Sequence, residues 1–153
     1  MANVPYCWQK KGETILIPSG KSKPLHVLGF LKRDNTFRFY FADGRVDSVT
    51  VVAVFEDFIS TLDAQKKSVI VLDNAPSHVS AYFESNKVRW EKQNVAICHL
   101  STYSPELNGI EMLWRFVKYT WLPFEAYCSI ETLEEKLTEV LLNVGKKFTI
   151  RFD

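Results

Sequence analysis

The period of hydrophobic and polar positions changes several times along the chain. Thr14-Ile15-Leu16-Ile17 and Leu25-His26-Val27-Leu28-Gly29-Phe30-Leu31 are short apolar runs around a Pro-Ser-Gly-Lys turn, and they read as two strands. Phe37 to Phe41 sets aromatic residues against Arg38 and Tyr40 and predicts a third strand, ending at Asp43-Gly44. Then the period lengthens. Val51, Val52, Phe55, Phe58, Ile59 and Leu62 recur at helical spacing, with Ser48 as the predicted cap. Ser68 to Leu72 is a continuous apolar run, the pattern of a strand buried on both faces, and it stops at Asp73-Asn74-Ala75-Pro76. Val79, Tyr82, Phe83 and Trp90 predict a second helix, and Val95 to Leu100 a fifth strand. Gly109 to Leu122 reads as a helix closed by Pro123. Ser129 caps a last helix with Ile130, Leu133, Leu137, Val140, Leu141 and Val144 on one face, ended by Gly145.

The order β-β-β-α-β-α-β-α-α puts antiparallel hairpins before strand–helix alternation. The economical architecture is α/β, a mixed sheet flanked by helices. No repeat or linker interrupts residues 1–153, which therefore read as a single domain.

Composition narrows the class without naming it. With 46% apolar and 24% charged residues, the chain falls among ordinary globular proteins. No apolar run reaches the ~18–20 residues of a membrane span. Met1 to Lys11 holds no apolar stretch of the kind a secretory signal needs. Cys7, Cys98 and Cys128 are odd in number and widely spaced, which fits a reducing cytoplasm better than a disulfide framework or a zinc knuckle. Net charge is only +1, but its distribution is uneven. Lys10, Lys11, Lys21, Lys23, Lys32 and Arg33 face a single acid, Glu13, in the first 33 residues, whereas acids predominate from Asp34 to Asp73. A basic edge beside an acidic interior is one way to hold a polyanion near metal-binding carboxylates; solvated loops of a neutral protein give the same pattern.

Two acids follow core strands. Asp73 lies just past its apolar run, and in open α/β sheets ligands collect at the carboxyl ends of strands. A carboxylate there can coordinate a hard cation such as Mg²⁺, and equally it can cap the next helix or make an Asx turn with Asn74. The second acid, Glu111, belongs to Tyr103-Ser104-Pro105-Glu106-Leu107-Asn108-Gly109-Ile110-Glu111 and falls in the first turn of a helix, where the macrodipole favours any acid. Arg115 and Lys118 come one and two turns later on about the same face, while Met112, Leu113, Phe116 and Val117 point to the core.

Taken together, Val69-Ile70-Val71-Leu72-Asp73-Asn74-Ala75-Pro76-Ser77-His78 and the Tyr103–Glu111 segment resemble the DDE transposases of insertion sequences in the mariner superfamily. Their pattern is hydrophobic-D-N-x-x-x-H, a spacer, then S-P-x-L-N-x-I-E. Asp73 and Glu111 stand 38 positions apart, a spacing that suits the bacterial branch. Trp8-x-x-Lys11-Gly12-Glu13 and Val27-Leu28-Gly29 are similar to the same family. The resemblance implies the mixed sheet of ribonuclease H and retroviral integrases. It implies Asp73 and Glu111 as catalytic ligands of Mg²⁺ (or Mn²⁺), with Asn74, His78 and Asn108 in supporting positions. Lys10, Lys11, Arg115 and Lys118 become candidate contacts to DNA phosphates. The implied partner is DNA, both transposon ends and target, handled in a bacterial cytoplasm and at no membrane.

The family's triad opens with an Asp on the first sheet strand, upstream of the W-x-x-K-G element. Trp8 is nearly at the start of this sequence, so the resemblance implies a domain whose first strand and first Asp are missing. Asp34, Asp43 and Asp47 come too late to replace it. By this reading the chain is incomplete alone: a pseudogene remnant or fragment, the downstream product of an element split over two reading frames, or a domain completed by another chain or a homodimer. A non-catalytic module that keeps the fold and binds nucleic acid or protein is the alternative.

Overall fold

The structure is a computed structural model that describes residues 10–13, 24–101 and 108–152. Among the described residues four strands and four α-helices run in the order β1 (His26–Leu31), β2 (Phe37–Ala42), α1 (Ser48–Ser60), β3 (Ser68–Leu72), α2 (Ala81–Glu91), β4 (Val95–His99), α3 (Gly109–Phe116) and α4 (Ile130–Leu142). A π-turn over Val117–Trp121 and a 3₁₀ turn over Phe124–Cys128 join the last two helices. The predicted strand at Thr14–Ile17 lies outside the described residues.

The mixed α/β class holds. Among the described residues β1 pairs only with β2, and β3 only with β4. Neither ladder includes a third strand among the described residues. The connection Lys32–Thr36 is short enough to allow only an antiparallel hairpin, whereas β3 and β4 run parallel in the register Ser68↔Val95 to Leu72↔His99.

The described chain divides into two compact units. One gathers residues 26–28 and 40–108, the other 29–39 and 109–152 together with the described residues before 26. In the first, α2 is the crossover between β3 and β4, and three rings fill its core. Phe55 of α1 stacks on Trp90 at 5.4 Å, and Phe83 meets both edge-on, at 5.2 Å and 5.1 Å. Phe83 and Trp90 are fully buried, among Val51, Val52, Ile59 and Val95. The indole N–H of Trp90 donates to Glu56 Oε1 at 2.7 Å, and Arg89 pairs with the same carboxylate, so a large ring is buried with its one polar atom satisfied.

β3 departs from the two-faced burial its apolar run predicts. Ile70 and Leu72 are buried, each at 9% exposure, while Val69 and Val71 stand 58% and 48% exposed. Ile70 and Leu72 share their face with Ile97 and His99, the face on which α2 lies; among the described residues the other face is left exposed. Val79 also departs from expectation. It precedes the N-cap Ser80 and is exposed, because the serine hydroxyl accepts from Phe83 N–H and starts the helix there.

In the other unit, Leu113, Val117, Leu137, Val140, Leu141 and Ile150 form the core. Gly29 admits two rings, since a Cβ there would come within 2.7 Å of Phe37 and 3.2 Å of Trp114. Asn35, at the hairpin tip with φ 64°, acts as a strand partner for the C-terminal segment. Its side chain donates to Ile150 O at 3.0 Å and accepts from Ile150 N–H at 2.6 Å. Met112 and Phe116, expected in the core, are 37% and 38% exposed. The interior of α3 is filled by Leu113 and Val117, and the other two side chains lie off that stripe.

Helix starts are fixed by side-chain caps. Asp47, rather than the predicted Ser48, caps α1, accepting from Thr50 N–H at 2.9 Å and from its hydroxyl at 3.0 Å. Ser129 caps α4 as predicted, accepting from Thr132 N–H at 3.1 Å. The Thr50 hydrogen bonds favour the ionised cap and hold the Asp47 carboxyl below the ordinary aspartate range.

Two predictions follow from this packing. Phe83→Ala removes a ring with no exposed surface, and should cost about 3–5 kcal/mol in urea denaturation. Because the folded-state pKa of Asp47 is depressed, its contribution is present above the unfolded value and is lost as pH falls through the folded one. Asp47→Ser keeps a cap without a titrating group, so its acid unfolding profile should flatten in that range while stability at neutral pH is retained.

Candidate active site

After Leu72 the chain turns through Asp73-Asn74-Ala75-Pro76 before entering α2. Asp73 Oδ1 accepts from Ala75 N–H at 3.2 Å, which is an Asx turn. Of the structural roles open to Asp73, this is the one present; the helix cap is Ser80. The same oxygen lies 2.8 Å from His78 Nδ1, while His78 N–H closes the loop on Ala75 O at 2.8 Å. Beside an ionised carboxylate, Nδ1 of a neutral imidazole carries the hydrogen and donates it. The ring of Phe83 backs the imidazole at 6.0 Å. Asp73 is thus held through one oxygen, and its side chain remains 50% exposed. Oδ2 makes no hydrogen bond among the described residues.

Asn74 ties the two strand exits together. Its side-chain amide donates to Leu100 O at 2.9 Å, and Leu100 N–H donates to Leu72 O at 2.8 Å. The sequence reading missed a further cluster at the same strand ends. His99, opposite Leu72 in the register, has Nε2 2.8 Å from Lys87 Nζ, and Glu84 Oε1 lies 2.6 Å from that ammonium. The ammonium can only donate, so Nε2 is the acceptor and Nδ1 carries the hydrogen, buried without a partner among the described residues. The available signal was Glu84 and Lys87 at i,i+3 on α2, with a histidine closing β4.

The structure therefore brings Asp73, Asn74 and His78 together. Glu111 stands exposed in the first turn of α3, with Arg115 exposed on the same helix and Lys118 exposed in the π-turn. These three belong to the other compact unit. Asn108 directly precedes α3 and is half-buried. Lys10 and Lys11 are exposed in a turn closed by Glu13 N–H on Lys10 O at 3.1 Å. Tyr103 to Leu107 lie outside the described residues.

Among the described residues no three His, Cys, Asp or Glu side chains converge as a metal cluster. The donor chemistry nonetheless suits a hard cation. Mg²⁺ takes one or two carboxylates and keeps several waters, and a ligating carboxylate is normally oriented by a hydrogen bond such as the one His78 supplies. Asp73 Oδ2 is the oxygen left to coordinate.

The family described as DDE superfamily endonuclease matches residues 1–134. The chain belongs to it. No curated protein matches the chain. The matched span of this DDE superfamily endonuclease takes in Asp73, Asn74, His78, Asn108 and Glu111 and ends inside α4. The family acts on DNA, and its enzymes typically use divalent metals. Among the described residues no helix is long and apolar enough to cross a membrane.

The His78 tautomer is open to direct test. Long-range ¹H–¹⁵N NMR at neutral pH should show a protonated Nδ1 on His78, and that signature should disappear in Asp73→Ala. A ring protonated at Nε2 in the unaltered chain would contradict the arrangement.

Proposed function

We propose that this DDE superfamily endonuclease is the catalytic domain of a DNA transposase, cutting and joining strands with Mg²⁺ (or Mn²⁺) on a ribonuclease-H-like fold. The observation that carries the reading is Asp73 at the exit of β3, fixed through Oδ1 by Ala75 and His78 with Oδ2 uncommitted. In this reading Asp73 and Glu111 hold the metal. Bound there, the cation supplies Lewis-acid activation of a phosphodiester and of the attacking hydroxyl or water. The chain's own residues prepare the site. His78 and the Asx turn are positioning elements that keep Asp73 in one rotamer. Asn74 keeps the two strand exits in register, and Asn108 steadies the entry to the helix of Glu111. Lys10, Lys11, Arg115 and Lys118, all exposed, contact phosphates and give an affinity that falls steeply with salt.

None of Asp34, Asp43 and Asp47 is proposed as the remaining carboxylate of the triad. The acids within the described residues support this. Asp34 is committed to Thr36 N–H at 2.8 Å in the hairpin turn, Asp47 to the cap of α1, and Asp43 lies exposed after β2. Among the described residues one edge of β3 has no strand partner and Val69 and Val71 stand exposed, so a further strand there would find backbone partners and an apolar surface.

The second reading, a non-catalytic module, draws on the same shortage of acids. Plasmid nicking separates the two. A protein that contains this chain and a complete triad should nick supercoiled DNA only with Mg²⁺ or Mn²⁺. Asp73→Ala and Glu111→Gln should each lower the rate by about 10³-fold or more, as when one member of a catalytic unit is removed. DNA binding without metal-dependent nicking, unaffected by either substitution, would establish the non-catalytic module instead.

A further inference from the structure

Beyond α4 the chain returns to the start of α3. Ile150, buried at 3% exposure, is tied to the β1–β2 hairpin tip by both side-chain hydrogen bonds of Asn35. Two residues later the ring of Phe152 lies against Gly109, the first residue of α3. A Cβ at Gly109 would stand 2.6 Å, 3.3 Å and 3.6 Å from three carbons of that ring, so the seat exists because position 109 has no side chain. Glu111 leaves from the same helical turn. Residues two apart on an α-helix point about 160° away from each other. The ring therefore bears on one side of the turn, and the exposed glutamate projects from the other. Leu113, one turn after Gly109 and fully buried, carries the packed side on into the core. The N–H groups of a first turn have no carbonyl partners within the helix, so its backbone depends on caps and on what packs against it.

We propose that Phe152 is a positioning residue for Glu111. Seated on Gly109 and anchored by the Asn35–Ile150 pair, it fixes the first turn of α3 and with it the direction in which the carboxylate projects. A metal ligand has to be held by packing and hydrogen bonds behind it, and the residues that supply them weaken the metal when they are removed. Phe152 does this from the side of the helix opposite the carboxylate, so it steadies Glu111 without covering it. Ile150 and Phe152 fall after the span that the endonuclease family matches. The role of Glu111 as a ligand rests on the transposase reading; the contact between ring and helix does not.

Two NMR measurements on the full chain test this. The first is amide hydrogen exchange at Leu113 and Trp114, whose α-helical partners are the carbonyls of Gly109 and Ile110. Phe152→Ala should speed exchange there by about tenfold or more and leave Leu141 in α4 at its original rate. The second is titration with Mn²⁺, read from paramagnetic broadening of the signals around Glu111. Phe152→Ala should weaken Mn²⁺ by about tenfold. In the Glu111→Gln background it should cause no further loss. Gly109→Ala, which displaces the ring, should reproduce both effects and add nothing to Phe152→Ala; it also decides the matter should Phe152→Ala fail to fold. Unchanged exchange at Leu113 and Trp114 overturns the proposal, as does an equal rise at Leu141, which would make Phe152 a purely structural residue. Mn²⁺ affinity that depends on Glu111 but not on Phe152 overturns it too. If Glu111→Gln alone leaves Mn²⁺ binding unchanged, the metal reading of Glu111 fails instead, and the exchange rates decide whether Phe152 holds the turn.

Discussion

Parallel pairing of β3 and β4 is the constraint from which the candidate site follows. Two parallel strands cannot be joined by a tight turn, so the chain must cross over between them, and α2 is that crossover. Both strands then finish at the same end, where Asp73 and Asn74 leave one and His99 and Leu100 the other. Phe83 and Trp90 make the crossover stable by burying themselves against Phe55, and Phe83 also backs the His78 ring. Core packing and the orientation of the carboxylate thus share one side chain.

At Asp73 local folding and chemistry are a single arrangement. An Asx turn needs one carboxylate oxygen, and the imidazole is satisfied by the same oxygen. What holds the turn is therefore also what turns Oδ2 outward. The turn and the ligand are not competing roles; each follows from the other.

Periodicity revealed most of the fold because it reports burial. Val51, Val52, Phe55 and Ile59 on α1, and Leu137, Val140 and Leu141 on α4, are buried where helical spacing puts them. It failed where an apolar residue has no surface to meet. Val69 and Val71 belong to a continuous apolar run, yet among the described residues their face of β3 is exposed; Val79 is apolar but lies ahead of a capping serine. Asp47 and Ser48 are both competent caps, so hydropathy could not choose between neighbours. At the site, Asp73 and His78 were legible from their place after a strand and from a motif. The Lys87–His99 contact was not, because it depends on register between strands that sequence spacing does not carry.

A helix that closes through a π-turn holds one residue more than its α-helical ladder can accommodate. The segment Val117–Trp121 is therefore sensitive to length rather than to composition. Many side chains could replace Lys118 or Thr120 with little effect on the backbone path. Removing either residue would let the α-helical ladder run on, swing Trp121 away from the Phe116 ring on which it stacks, and carry every later residue round the helix axis by about 100°. The geometry of the aromatic stack is thus stored in the number of residues between its members.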